Sequence, residues 1–310
     1  MAIIAVAGGT GGVGKTIVEQ LQRHAPHHEI LILSRKVPVH ATPGTPEFLK
    51  VDYADVDSLT TILQDHKIDV VVSTINLETE AGSKSQLNLI AAANKSQTTR
   101  RFIPSGFVSA IDENDPNSGP GIGGWIDNAR ALKETSLEYI RISIGFFSDY
   151  WGMPHIKTNL KRFQWLLDME RGMAVVPGSG DAKFTVTYSE DLARVIIRLL
   201  DADEKWPKLG FLSGSDISVN ELIASAERIR GSKLNVVHDS VEKLEKGDVT
   251  VLWQPDDVTE EEFKPLLAAL CQMIAAGTCV LPNDASRLDR LFPEIHLTSA
   301  EEILTKAWKK

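Results

Sequence analysis

Residues Gly8-Gly9-Thr10-Gly11-Gly12-Val13-Gly14 hold two overlapping glycine triplets, Gly8-x-x-Gly11-x-x-Gly14 and Gly9-x-Gly11-x-x-Gly14. They lie between an apolar run, residues 3–7, and a segment in which Val13, Ile17 and Leu21 recur at helical spacing. Glycines at a strand-to-helix junction allow a tight turn and let the backbone N–H groups of a helix N-terminus approach a pyrophosphate. Gly8, Thr10, Gly11, Gly12, Val13 and Gly14 are therefore expected to cradle a dinucleotide. A second cluster, Ser34-Arg35-Lys36, closes the next apolar run at 29–33. NAD-specific folds usually carry an acid there for the ribose hydroxyls. The Arg35 guanidinium suits fork pairing with a 2′-phosphate instead, and Lys36 adds charge, so NADP(H) is the expected cofactor. By position in the strand order, Asp52 is expected at the adenine edge, with Ser73 and Thr74 near the nicotinamide ribose.

The elements that must hold these groups alternate in type. Strands are expected over 3–7, 29–33, 48–52, 70–74, 101–105 and 138–142, with helices over 56–64, 86–95 and 126–135. That rhythm specifies a parallel sheet with crossover helices. The fold class expected is α/β, a Rossmann-type doubly wound parallel sheet over 1–150 with a smaller C-terminal α+β substrate lobe over 151–310. Helices at 189–200 and 220–230 belong to the second lobe's part of the chain. Residues 183–187 alternate in polarity, and 211–213 follow a Trp-Pro break, so the second lobe is expected to be interleaved with the first sheet through one strand. The stretch from Ile111 to Gly124 is too long and too rich in glycine and proline for a simple turn, which predicts a mobile active-site loop.

Composition narrows the partners. Of 310 residues 43% are hydrophobic and 24% charged, close to globular averages, so the chain is expected to fold. A formal net charge of −9 without long Lys/Arg clusters argues against direct nucleic-acid binding. No apolar run approaches the roughly 20 residues needed to cross a bilayer. Cys271 and Cys279 are too few for a disulfide scaffold, and no secretory segment precedes the first strand, so a reducing cytoplasmic location is expected. The histidines, the His27-His28 pair included, show no metal-ligand spacing, so no metal is expected. The chain is compatible with a monomer or a homodimer.

The glycine loop, Arg35, Arg101-Phe102-Ile103-Pro104-Ser105-Gly106-Phe107 and Gly145-Phe146-Phe147-Ser148-Asp149-Tyr150 together resemble the NmrA-like and isoflavone-reductase-like branch of the atypical short-chain dehydrogenases. Later segments, including Gly152-Met153-Pro154-His155 and Val176-Pro177-Gly178-Ser179-Gly180, resemble its fungal CipA-like members. The resemblance implies an NADPH-binding Rossmann domain and a substrate in the cleft beside a smaller domain. It also implies a lysine shortly before the helix that leads into the sixth strand, in place of the Tyr-x-x-x-Lys pair, which occurs nowhere in this chain. Ungapped matching back from Leu137-Glu138-Tyr139 puts Trp125 at that lysine's position. A gap would instead bring in Lys133, eight residues on, which otherwise reads as a solvated lysine of an amphipathic helix. The family's Pro-Ser-Glu-Phe is Pro104-Ser105-Gly106-Phe107 here, so a carboxylate is missing as well. Ser105 stays a candidate for cofactor contact and for chemistry.

With the lysine replaced, His155 is the nearest group able to exchange a proton near neutral pH. It reads equally as a hydrogen-bonded structural histidine at a proline turn. Phe146, Phe147, Tyr150 and Trp151 form either an aromatic wall for a flat substrate, with Phe107 and Trp125, or part of a core. Three functions are compatible with these residues. The first is an NADPH-dependent reductase of an aromatic or polyketide-like small molecule of secondary metabolism. The others are a non-redox isomerase, cyclase or dehydratase on the same scaffold, and an NADP(H)-sensing regulator of the NmrA type.

Overall fold

Short aliphatic runs, each followed by a polar or glycine turn and then a helix-spaced segment, become the parallel strands and crossovers of the N-terminal half. A computed structural model describes residues 1–38, 44–111 and 123–309. In chain order the first elements are β1 (Ile3–Ala7), α1 (Gly12–His24), β2 (Glu29–Ser34), β3 (Glu47–Lys50), α2 (Val56–Asp65), β4 (Val70–Ser73) and α3 (Glu80–Lys95). They are followed by β5 (Arg101–Ile103), α4 (Gly123–Lys133), β6 (Glu138–Tyr139) and β7 (Arg141–Ser143). The six-stranded sheet has the order β3-β2-β1-β4-β5-β6, and every pairing in it is parallel. Strand order reverses between β1 and β4, which opens a crevice at the carboxyl ends of these two strands.

The remaining elements are β8 (Phe146–Phe147), α5 (Asp149–Gly152), β9 (Leu167–Asp168), β10 (Met173–Pro177), β11 (Lys183–Thr187), α6 (Ser189–Leu200) and β12 (Leu209–Phe211). Then come β13 (Ser215–Ser218), α7 (Val219–Arg230), β14 (Asn235–Asp239), α8 (Val241–Glu245), α9 (Glu260–Ala275), α10 (Leu288–Leu291) and α11 (Ala300–Trp308). The chain forms two compact units. One is Met1–Ser143 with Leu192–Phe211, and the other is Ile144–Asp191 with Leu212–Lys310.

In the first unit Ala5, Leu31, Val71 and Phe102 from the sheet pack with Leu59, Leu63, Leu89 and Ile90 from the helices. The returning segment 192–211 is fastened there by Glu138. Its carboxylate accepts from Arg101 Nε at 2.8 Å and from the Trp206 backbone N–H at 2.7 Å, and the Arg101 guanidinium lies 4.8 Å from the Trp206 ring centroid. Half-buried, doubly used ion pairs of this kind fix geometry more than they add stability.

The second unit contains the sheets β14-β10-β9 and β13-β11-β8. Trp165, Phe184, Leu222, Phe263, Leu267 and Leu304 fill its core. Three of its helices start in capping boxes, Ser218 with Glu221, Thr259 with Glu262 and Ser299 with Glu302, each satisfying two otherwise unpaired N–H groups.

Three expectations need correction. The single strand expected over 138–142 breaks at Ile140: β6 pairs with β5, whereas β7 pairs with β12. Neither segment considered for sharing with the first sheet joins the six-stranded sheet: 183–187 stays in the second unit between β13 and β8, and of 211–213 only Phe211 belongs to β12, which pairs with β7 in a two-stranded sheet of the first unit. Helix α3 begins six residues before the expected 86, because Thr79 caps it by accepting from the Gly82 N–H. The active-site loop expected between Ile111 and Gly124 falls on 112–122, outside the described residues. Among the described residues no helix is long and apolar enough to cross a membrane.

Candidate functional site

The turn between β1 and α1 is built by close approach. Gly8 has φ +80°, and a Cβ on Gly14 would lie 2.4 Å from both the Gly8 carbonyl oxygen and Thr74 Oγ1. Thr74 directly follows β4, and both its N–H and its hydroxyl donate to the Ala7 carbonyl, at 2.9 and 2.8 Å. The helix thus sits directly on the strand ends at the crevice, a packing that only glycine permits at position 14. Gly11 behaves differently. It is exposed, and a Cβ there would meet nothing within 4 Å. No side chain caps α1 and no acid stands in its first turn. Its N-terminal N–H groups and positive dipole end are therefore available to an anion.

At the end of β2, Ser34 Oγ donates to the Lys36 carbonyl at 2.7 Å and accepts from the Lys36 N–H at 3.3 Å. This small turn leaves Arg35 and Lys36 exposed. Beneath it Tyr53 is buried, and its hydroxyl donates to the Leu33 carbonyl at 3.1 Å. Burial pushes the Tyr53 phenol well above its ordinary value, and the positive charge of Arg35 opposes that rise. Asp52 is exposed and its carboxylate accepts from the Ala54 N–H at 2.9 Å, so part of its bonding capacity shapes the turn into α2. Ser73 is fully buried and accepts from the Ile75 N–H at 3.4 Å.

The segment after β5 is held by a residue that the sequence reading missed. Gln86, fully buried on α3, accepts from the Ser105 N–H at 2.9 Å through Oε1, while its Nε2 has no partner. Its only sequence signal is a glutamine among the apolar positions of α3. Phe107 is buried nearby in sequence. Trp125 is half-buried in the first turn of α4. That turn is pressed against the β4–α3 connection, since a Cβ on Gly124 would stand 2.6 Å from the Leu77 carbonyl oxygen. Asn128, one turn on, donates to Gly124 O and to Ser83 Oγ. Lys133 is exposed at the last residue of the same helix. Eight residues at 1.5 Å each put it about 12 Å along the axis from Trp125.

In the second unit the aromatic residues divide. Phe146 packs edge-on against Trp165 at 4.9 Å and Phe184 at 6.2 Å, and Trp151 is buried with its indole N–H donating to the Trp165 carbonyl at 3.3 Å. Phe147 and Tyr150 are half-buried. His155 is exposed, follows Pro154 and has its ring edge-on to Trp308 at 4.6 Å. Trp308 in turn donates its indole N–H to the Trp151 carbonyl at 2.7 Å.

Asp149 is the most perturbed acid of this segment. It is fully buried and accepts from the Ser189 N–H at 3.0 Å, the Ser189 hydroxyl at 2.6 Å and the Thr158 hydroxyl at 2.7 Å. Burial pushes its carboxyl up to about 6, and the donors offset this only in part.

The dinucleotide features thus converge on one end of the sheet: the glycine turn, Thr74 at the strand reversal and Arg35 one strand away. The model of the NmrA-like family matches residues 2–261. The chain belongs to the NmrA-like family. Oxidoreductase swnN of Metarhizium robertsii is 31% identical to this NmrA-like chain, over 99% of it and 98% of the relative. Solved structures share its fold, and two of them illustrate the likeness. The binary complex of leucoanthocyanidin reductase with NADPH from Vitis vinifera superposes with a TM-score of 0.74 at 20% identity, covering 99% of this chain and 100% of that one. A structure from the pinoresinol-lariciresinol and phenylcoumaran benzylic ether reductases, described with their relationship to isoflavone reductases, gives 0.77 at 20% identity and covers 99% of each chain.

Proposed function

We propose that this NmrA-like chain is an NADP(H)-dependent oxidoreductase of an aromatic or polyketide-like small molecule, acting in the cytosol. The observation that carries the reading is the open, uncapped N-terminus of α1 at Gly11, one strand from the exposed Arg35. These residues fit the cofactor: a cradle that a side chain would fill, and a guanidinium free of any acid in its own turn. The pyrophosphate would lie against Gly11 and be held by the N–H groups of Gly12 and Val13, and Arg35 with Lys36 would hold the 2′-phosphate. When bound, NADPH supplies a hydride. The relative swnN is named an oxidoreductase, and the Vitis vinifera neighbour is a reductase with NADPH, which supports the same class of chemistry.

The protein's own contribution is binding and proton supply. Gln86 fixes the backbone at Ser105, which keeps that loop in one conformation. With Trp125 where the related reductases are expected to carry a lysine, the proton falls to His155, whose exposed ring exchanges with solvent and is steadied by Trp308. Phe147 and Tyr150, half-buried and outside the core proper, are the aromatic surface assigned to substrate. The same loss of the lysine favours a second reading, an NADP(H)-sensing regulator without turnover. The test is purified protein with NADPH and a panel of aromatic ketones and enones, followed by the absorbance of the reduced nicotinamide. Cofactor consumption matched by reduced product supports the enzyme. Tight NADP(H) binding with no turnover across the panel favours the regulator, and no binding of either nucleotide removes both.

A further inference from the structure

Three potential ligands that are far apart in sequence meet in the first unit. His27 and His28 follow α1, and Asp201 follows α6, 173 residues beyond His28. Asp201 Oδ1 lies 2.7 Å from His27 Nε2 and 3.0 Å from His28 Nε2, and the three ligand atoms all fall within 4.8 Å of one another. We propose that His27, His28 and Asp201 form a binding site for a divalent transition-metal ion of the zinc class.

The arrangement asks for a cation. Asp201 continues the last turn of α6 through its N–H to the Ile197 carbonyl, and the His28 N–H bonds the Ala25 carbonyl just past the end of α1. A carboxylate at a helix C-terminus adds negative charge where the dipole is already negative, and a positive ion between the groups offsets both. Two imidazoles and one carboxylate are the donor set that suits Zn²⁺, Ni²⁺ or Co²⁺, and they are too few and too nitrogen-rich for Ca²⁺ or Mg²⁺. The site is also built rather than merely crowded. The His28 side chain is 3% exposed, which holds its ring in place, while His27 and Asp201 face solvent at 51% and 38% and leave room for water ligands.

In the metal-free form both Nε2 atoms carry hydrogen toward the same carboxylate oxygen. Metal binding moves each ring proton from Nε2 to Nδ1, which leaves both imidazoles neutral. For His27 the new N–H can meet water. For His28 it meets the Ala2 N–H, which otherwise donates to Nδ1 at 3.1 Å, so that hydrogen bond is given up on binding. That lost hydrogen bond weakens the site relative to one whose second ring nitrogen already donates to a carbonyl or carboxylate. Occupied, it would clasp the C-terminal end of α6 to the loop after α1.

The test uses the full-length, untagged protein after chelator treatment, titrated with ZnCl2 by calorimetry and by thermal unfolding. One Zn²⁺ per chain is expected, with an unfolding midpoint that climbs with zinc concentration and does not respond to Mg²⁺. Even a lost outer partner weakens metal sites by roughly 10–100-fold, so His27→Ala and Asp201→Asn should each weaken binding at least roughly tenfold. Both are solvent-facing substitutions, and His296→Ala, at an exposed His–Glu pair elsewhere, should leave binding unchanged. A readout that needs no variant is protection of His27 in the wild-type chain from diethyl pyrocarbonate by zinc, mapped by mass spectrometry. Absence of micromolar binding, or wild-type affinity in either His27→Ala or Asp201→Asn, or no protection of His27, overturns the proposal. None of these outcomes depends on the dinucleotide reading, because no arm contains a nicotinamide.

Discussion

Replacing Asp149 by Asn should change how stability depends on pH, and the sign of that change follows from which force wins at a buried carboxyl. In the folded chain burial holds this group at about 6, against 3.8 for the ordinary side chain. An acid whose folded value is raised takes up its proton more readily folded than unfolded. Its contribution is therefore fully present below pH 3.8 and is lost as pH rises through about 6. The two-unit shift is worth about 3 kcal/mol in full. Over the range from about pH 5 to about pH 7 it amounts to roughly 1.3 kcal/mol. The assay is urea unfolding of wild type and Asp149→Asn at several pH values in that range, read as the difference between the two proteins. Histidines that titrate there cancel in the difference, and Glu302, held down to about 2 chiefly by the Ser299 N–H, titrates below it. The Asp149→Asn variant should be less stable at every pH, since the new amide cannot accept all three donors, yet the wild-type advantage should shrink by roughly 1.3 kcal/mol from about pH 5 to about pH 7. An advantage that grows with pH refutes the reasoning, because it would mean that the Ser189 and Thr158 donors outweigh burial and keep the carboxylate charged.

Gly11→Val and Gly14→Ala should separate binding from folding. The first should leave unfolding unchanged and abolish NADP(H) binding by calorimetry, because its Cβ points into open space at the cradle. The second should lower stability by roughly 1–3 kcal/mol in urea unfolding, because its Cβ meets the Gly8 carbonyl oxygen at 2.4 Å. NADP(H) should bind at least roughly tenfold tighter than NAD(H), with Arg35→Ala removing most of the difference, since one charge-assisted pair contributes about 1.5–3 kcal/mol; equal affinities in the wild type would contradict this. His155→Ala should lower turnover by roughly 10²–10⁴-fold with little change in cofactor affinity. Wild-type turnover in that variant would assign the proton to water.

The glycine loop, the strand-and-helix alternation and the basic pair after the second strand were legible in the chain because each is local. Strand and helix differ in hydrophobic period, and a glycine turn announces itself by composition at a junction. The parallel sheet follows from that alternation, and its six strands appear in the order that puts Gly8 and Thr74 at the reversal. Other features depended on contacts between residues far apart in sequence. No local pattern shows that Gly14 rather than Gly11 is sterically obligatory, since the obstacle is Thr74, sixty residues away. The same holds for Gln86 at the Ser105 backbone, for Asp149 beneath the start of α6 and for the break at Ile140 that hands β7 to β12. Phe146 and Trp151 read more readily as core than as substrate wall, but only packing against Trp165 and Phe184 shows Trp151 buried and Phe146 half-buried at the core's edge. His27 and His28 carry no ligand spacing of their own, and their third partner arrives only when the chain returns with Asp201. Period and composition act over one turn of chain and therefore determine elements, whereas desolvation, close approach and shared hydrogen bonds act through space and are decided only when the elements are brought together.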